Sequence, residues 1–150
     1  MKTLQSIYDP WTLAQLEARI LSLTPDQAPE WGKMTAWQML RHCNKSEEMY
    51  QGKRSYDRLF IGKLFGKMAL RKTLKDDRPM SQNSPTHPDL TITGEGDFEQ
   101  ERQQWIRLLK AYQHEQDWEI VHPFFGAMTH EQIGQYVYKH TDHHLRQFGA

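Results

Sequence analysis

The sequence has little of what marks several common classes of protein. Among its 150 residues there is a single cysteine, Cys43, which excludes an intramolecular disulfide framework and suits a reducing compartment. No apolar run approaches the roughly 20 residues of a membrane-spanning helix. The segment from Met1 to Ser6 lacks the hydrophobic stretch of a signal peptide. Together these absences predict a cytoplasmic protein with no membrane partner.

An excess of charge of either sign is also missing. The 19 lysines and arginines are balanced by 19 acidic residues, which argues against a globally cationic nucleic-acid binder. Lys63, Lys67 and Arg71 are spaced by four and could form a phosphate-contacting ridge. Asp57 and Asp76 interrupt this basic stretch, so a solvated helix face is the better interpretation. We therefore expect no nucleic-acid partner.

The spacing of apolar residues predicts helices and no credible strand, and internal repeats are lacking. A chain of this length buries one ordinary core, so we expect a single domain over residues 1–150. The five predicted helical stretches begin after Asp9, after Thr35, around Tyr56, at Asp97 and at Thr129. Their start signals include two capping-box pairs, Thr35 with Gln38 and Thr129 with Gln132. The expected fold class is all-α, a bundle of four main helices with a short additional helical segment.

The connections and the third helical stretch carry their own expectations. The long loop from Asp76 to Gly96 is of the kind that is often functional or mobile. The segment His122–Gly126 is too aromatic for a solvated linker, so we expect it to lie over the core. Gly62 and Gly66 could permit a close helix approach or mark a kink. In the same stretch, one side collects Leu59, Phe60, Leu64, Phe65 and Met68.

Two histidines near the end of the chain are the leading functional signal. His140 and His144 are four residues apart, so on a helix they project about 40° from one another, one turn apart. Two imidazoles in that arrangement can bind one metal ion. They share a helical stripe with apolar residues, which places them on the side of the helix that faces the core. That stripe consists of Ile133, Val137 and Phe148.

A third ligand is needed, and His42 is the best candidate. On the second predicted helix it lies on one row with Met39, Ser46 and Met49, at the edge of the buried face. Three neutral imidazoles leave coordination positions open, as in catalytic rather than structural zinc sites. The same ligands would accept nickel, iron, manganese or copper, so the residues do not name the metal.

Each of these residues also has a simpler interpretation. The histidines of the last helix could be core-edge residues satisfied by hydrogen bonds, and His140 could instead pair with His143. We expect His143 to support the site or to lie at the surface. Cys43 beside His42 suggests a Cys-His nucleophile, but a buried, inert thiol is the stronger interpretation. For His122 we prefer packing or a position at a pocket rim.

Three segments of the chain resemble one known family. The segment Trp37–His42 looks like its helix with the first metal histidine, and His140–Gln147 looks like its terminal H-x-x-H-H motif. The segment His122–Gly126, together with the ending Leu145–Gly149, is similar to a particular branch of that family. The chain thus resembles the DinB/YfiT-like superfamily of four-helix bundles, in a branch of uncharacterised proteins. The resemblance implies His42, His140 and His144 as metal ligands.

The resemblance also carries functional implications. Relatives of known activity are metal-dependent transferases or isomerases that use low-molecular-weight thiols such as mycothiol or bacillithiol. It therefore implies a transferase that uses a divalent metal (Zn, Ni, Fe or Mn) and a thiol on an unknown small-molecule substrate, and it is compatible with a homodimer. The chain departs from the family pattern at Leu145, where relatives commonly have arginine, with Arg146 one place later.

Two other functions are compatible with the same residues. One is a non-catalytic helical bundle that binds a small ligand or a partner, with a structural metal or none. The other is a metal-dependent hydrolase that activates water. In the enzyme interpretation we expect aromatic walls around the metal, for which Trp37, Phe124 and Phe125 are the candidates.

Overall fold

The computed structural model describes residues 4–114 and 119–150. Met1 to Thr3, which belong to the N-terminal segment considered above, lie outside the described residues. The described chain is mostly helical, as expected for an all-α protein, with a small two-stranded sheet. Its elements are α1 (Pro10–Leu21), α2 (Ala36–Tyr50), α3 (Phe60–Thr73), a 3-10 helix (Pro88–Leu90), α4 (Phe98–Ala111), β1 (Ile120–His122), β2 (Gly126–Met128) and α5 (His130–Gln147).

The helices begin where local capping chemistry places them. The Asp9 carboxylate accepts a hydrogen bond from the backbone N–H of Thr12 at 2.8 Å, with Pro10 at the first helical position. Both capping boxes that the sequence predicts are formed, the first at Thr35 and the second at Thr129. The Asp97 carboxylate accepts from the backbone N–H of Gln100 at 2.9 Å. Four of the five predicted starts are thereby confirmed, because each depends on a contact within four residues.

The core lies between α1, α2, α4 and α5. Helix α2 packs against α4 and α5, and α1 packs against the same two helices. Their inward faces supply the largest fully buried side chains of these helices, which include Leu16, Ile20, Met39, Leu40, Trp105, Leu109, Ile133 and Leu145. None of the helices in the described ranges combines the length and the apolar composition that crossing a bilayer requires.

Helix α3 differs from the sequence expectation. It begins at Phe60 rather than around Tyr56. The apolar side that a core helix would bury is exposed, and its exposed members are Phe60, Leu64, Phe65 and Met68, with Ile61 beside them. The buried side is instead formed by Gly62, Gly66 and Leu70. Periodicity correctly groups the residues of one face, but it does not tell which face the fold covers.

A short hairpin is the element that the sequence did not predict. Strands β1 and β2 pair antiparallel, with Ile120 opposite Met128 and His122 opposite Gly126. Each strand has only three residues, too few for an alternating pattern to be recognised. The turn between them buries Phe125, which confirms that the segment His122–Gly126 lies over the core.

Candidate metal centre

Helices α2 and α5 bring the three predicted histidines together. The Nε2 atom of His140 lies 3.4 Å from Nε2 of His42 and 3.2 Å from Nε2 of His144. One ring nitrogen from each of the three residues falls within 4.8 Å of the others. The three side chains are only 5–7% exposed. The cluster is therefore a buried triangle of ring nitrogens contributed by two helices.

Hydrogen bonds fix the orientation of two of the rings. The Nδ1 atom of His42 lies 2.9 Å from the carbonyl oxygen of Leu90, and Nδ1 of His144 lies 2.9 Å from Oε1 of Gln147. The Gln147 amide is oriented in turn by its Nε2, which donates to the carbonyl of Trp31 at 3.1 Å. Because these oxygens only accept, both imidazoles carry their proton on Nδ1, and each Nε2 presents a lone pair to the cluster.

His140 is held differently. Its Nδ1 atom is buried without a hydrogen-bond partner among the described residues. Its ring stacks on Tyr136 with centroids 5.8 Å apart and meets Tyr50 edge-on at 6.0 Å. Behind the cluster, His140 is thus held by two aromatic rings from α2 and α5 rather than by a hydrogen bond at Nδ1.

The cluster fits a metal ion by distance. Zinc binds imidazole nitrogen at about 2.0–2.1 Å, which separates two nitrogens of a tetrahedral site by about 3.3–3.4 Å. The observed separations from His140 to its two neighbours, 3.4 and 3.2 Å, agree with that spacing.

The positions of the protons on the three rings also favour a bound metal ion. His42 and His144 carry their protons on Nδ1, so neither can donate from Nε2 to His140. Nε2 of His140 can donate at most one proton, and therefore at most one of its two contacts is a hydrogen bond. At least one lone pair therefore faces another nitrogen without a proton between them, and a bound cation would remove that repulsion.

The electrostatic environment keeps the three rings neutral. Burial is the largest cause that lowers the pKa of His42, His140 and His144 below that of ordinary histidine. For His140 and His144, the neighbouring imidazoles lower the pKa further. At neutral pH the rings are thus in the unprotonated form that metal binding requires.

The comparison with known protein families agrees with this geometry. A family model described as the DinB superfamily matches residues 10–148. The chain belongs to the DinB superfamily. No curated protein and no solved structure matches it. Family membership supports the all-α fold and a buried histidine cluster compatible with metal binding, and it names no reaction.

The residue that departs from the DinB pattern has a structural role. Leu145 is fully buried in the core. Arg146 donates from Nε to the carboxylate of Asp142 at 2.8 Å, and Arg19 donates to the other oxygen of the same carboxylate at 2.8 Å. In this DinB protein the arginine side chain is thus engaged by Asp142, which ties α1 to α5.

The other candidate residues take the simpler roles. The ring of His143 contacts Trp31 and His144, with centroids 5.5 and 5.0 Å apart, and it stands outside the group of three. Cys43 is fully buried, and burial raises the pKa of its thiol well above the usual value, so the thiol stays protonated. His122 packs on Phe125 with centroids 4.5 Å apart. Its Nδ1 also accepts hydrogen bonds from the backbone N–H groups of Phe124 and Phe125 at 3.0 and 3.1 Å, so His122 packs within the hairpin turn and holds its backbone.

Several residues at the site were missed by the sequence reasoning. Tyr50 and Tyr136 supply the aromatic rings that contact His140, and Trp31 contacts His143 beside the cluster. Trp37, a predicted wall, packs instead against Gly96. Gln147 could have been found, because it is three residues after His144 and so shares its helix face. The carbonyl of Leu90 carries no sequence signal, since any residue supplies one.

Proposed function

We propose that His42, His140 and His144 hold one divalent transition-metal ion, and that this DinB superfamily protein is a metal-dependent transferase acting with a low-molecular-weight thiol. The observation that carries the proposal is the convergence of three neutral ring nitrogens. Two of the rings are oriented from behind by the Leu90 carbonyl and by Gln147. Such supporting contacts are typical of histidines that bind metals.

The chemistry of the three histidine ligands supports a thiolate as the fourth ligand of the ion. When bound, a divalent ion lowers the pKa of a coordinated thiol or water and holds it as a nucleophile. Three neutral imidazoles leave the positive charge of the ion uncompensated, which favours an anionic fourth ligand. Tyr50 and Tyr136 wall the cluster with aromatic surface, which suits an apolar acceptor and excludes water.

The hydrolase alternative receives less support. Among the described residues, the group that could hold a metal contains three histidines and no carboxylate. A carboxylate often acts as general base when a metal-dependent hydrolase activates water. The buried carboxyl group of Glu47 accepts a hydrogen bond from the Tyr112 hydroxyl at 2.6 Å and does not belong to the group. A thiolate needs no such base.

The first experiment measures the metal. Protein purified without an affinity tag is loaded with zinc, desalted and analysed by mass spectrometry for metal per chain. We expect one ion per chain, a rise in melting temperature on loading, and loss of both in His140→Ala. The matched control is His114→Ala, because His114 is exposed and distant in sequence from the cluster. A wild type that retains no metal contradicts the proposal.

The second experiment tests the thiol separately. In cobalt-loaded protein, a thiol that coordinates the ion produces thiolate-to-cobalt charge-transfer absorption. A panel of bacillithiol, mycothiol, glutathione and cysteine is then assayed with small electrophilic acceptors. We expect both the absorption band and the transfer activity to disappear in His42→Ala. Stoichiometric metal with neither the absorption band nor transfer activity would contradict the role of the thiol and would not contradict the metal site.

A further inference from the structure

Helix α3 presents an apolar surface outward. Eight large hydrophobic side chains are markedly exposed in the described chain. Five of them lie on this helix, within a stretch of nine residues. Each of the five is more than half exposed, and together they form what we call the outer face of α3: Phe60, Ile61, Leu64, Phe65 and Met68. Contiguous exposed apolar surface of this kind marks an interaction site.

The opposite side of the helix is firmly anchored. Gly62 and Gly66 lie so close to the Phe124 backbone that a Cβ atom at either position would overlap its carbonyl oxygen. At the start of the helix, the backbone N–H of Leu59 donates to the carbonyl of Pro123 at 2.9 Å. Because the hairpin holds this side, the outer face cannot turn inward without breaking these contacts.

The charge around the outer face is positive. Positions 53–78 contain nine basic and three acidic residues, a net charge of +6 in a chain whose total is zero. Helix α3 itself has four basic side chains and no acidic one. Lys67 donates to the carbonyl of Ala127. The other three, Lys63, Arg71 and Lys72, are exposed and form no ion pair with the residues that the structure describes.

This pattern disfavours a second copy of the chain as the occupant. In a two-fold symmetric contact the same patch meets itself, so the basic side chains of one α3 would face those of the other. The outer face is also short, because nine helical residues span about 12 Å. A stable dimer buries about 800 Å² on each partner, which would require further surface around a like-charged contact.

We propose that the outer face of α3 docks on the surface of a bilayer that contains anionic phospholipids. Phenylalanine and leucine would enter the boundary of the acyl chains, and the exposed basic side chains would contact the headgroups, as in interfacial amphipathic helices. This contact is made on the surface and does not span the membrane. It departs from the sequence-based expectation of no membrane partner, which considered only spanning segments, and it is independent of the metal site.

The test is co-sedimentation of the full chain with sucrose-loaded vesicles of phosphatidylcholine, with and without about one third phosphatidylserine. We expect binding to the anionic vesicles alone, weakening as salt is raised. The double variant Lys63→Gln/Lys72→Gln should bind about fivefold more weakly for each basic side chain removed. The double variant Leu64→Ser/Phe65→Ser should lose at least about tenfold. Trp11→Ser is the matched control, because Trp11 is a large apolar side chain on α1 that is 70% exposed.

Three results would overturn the proposal. The first is an absence of binding to anionic vesicles, and the second is equal binding by the α3 variants and the wild type. The third is a wild-type dimer, in sedimentation velocity without lipid, that Leu64→Ser/Phe65→Ser converts to a monomer, since a second copy would then cover the face. Circular dichroism and melting temperature verify the fold of each variant. If the apolar variant unfolds, the proposal is tested by the binding of Lys63→Gln/Lys72→Gln to anionic vesicles, because this variant alters only exposed side chains.

Discussion

Replacing Gln147 with leucine tests the support of the metal centre most directly. Gln147 is 5% exposed and links two parts of the site. Its Oε1 accepts from Nδ1–H of His144 at 2.9 Å, and its Nε2 donates to the carbonyl of Trp31 at 3.1 Å. Leucine fills a similar volume but can make neither bond. The change therefore removes the orientation of one proposed ligand and leaves the ligand itself in place.

The structure allows the size of both effects to be worked out. Loss of a hydrogen-bonded partner behind a metal-binding histidine typically weakens metal affinity 10- to 100-fold, or about 1.4–2.7 kcal/mol. In the metal-free protein the change removes the partner of the buried Nδ1–H of His144 and of the partly buried carbonyl of Trp31. The buried Nδ1–H costs about 1–3 kcal/mol when unsatisfied and the partly buried carbonyl about 1 kcal/mol, so the free energy of unfolding should fall by about 2–4 kcal/mol.

The assay is competition for zinc between the protein and a chromophoric chelator, with urea unfolding of the metal-free protein. Gln147→Glu should retain affinity, because its carboxylate still accepts from His144. Gln135→Leu is the matched control on the same helix, where the amide donates to the exposed Glu131. Zinc affinity of Gln147→Leu within twofold of wild type would refute the reasoning that this hydrogen bond orients His144.

Three further predictions concern stability. Gly66→Ala should lower the free energy of unfolding in urea by about 2 kcal/mol or more, because the new methyl group overlaps the Phe124 carbonyl; an unchanged midpoint would refute the close approach of α3. Burial lowers the pKa of His122 to about 3 from 6.5, so its contribution to stability is present above pH 6.5 and is lost as the pH falls toward 3. His122→Asn, which keeps a hydrogen-bond acceptor, should therefore flatten the acid dependence of the melting temperature. Burial raises the pKa of Glu47 from 4.5 to about 8, so its contribution to stability is present below pH 4.5 and is lost as the pH rises from 4.5 to about 8. Glu47→Gln should stabilise the protein above pH 8 and not below pH 4.5, and equal effects at both pH values would contradict this assignment.

The parts of the molecule that were predictable are those set by short-range chemistry. The start of α2 follows from Thr35 and Gln38, which bond to one another's backbone across one turn. The proximity of His140 and His144 follows from one helical turn. His42 is 98 residues from His140, and helical phase could place it only at the edge of a buried face. Its meeting with the other two depends on how α2 packs against α5.

The parts that could not be predicted depend on tertiary packing. The outer face of α3 has the spacing of a core helix, and it is exposed because the hairpin occupies the side of Gly62 and Gly66. The hydrogen bond to His42 comes from the backbone of Leu90, for which side-chain identity gives no information. Each hairpin strand has only three residues, too few to show an alternation of apolar and polar side chains.

The distance along the chain between His42 and His140 has a consequence for folding. With a single cysteine the protein has no disulfide of its own, yet an ion held by these two residues would close a loop of nearly one hundred residues. A cross-link over a loop of that length lowers the entropy of the unfolded chain by an amount worth about 4.7 kcal/mol at 25 °C. The proposed metal would thus act as a removable staple, opened by a chelator as a disulfide is opened by a reductant.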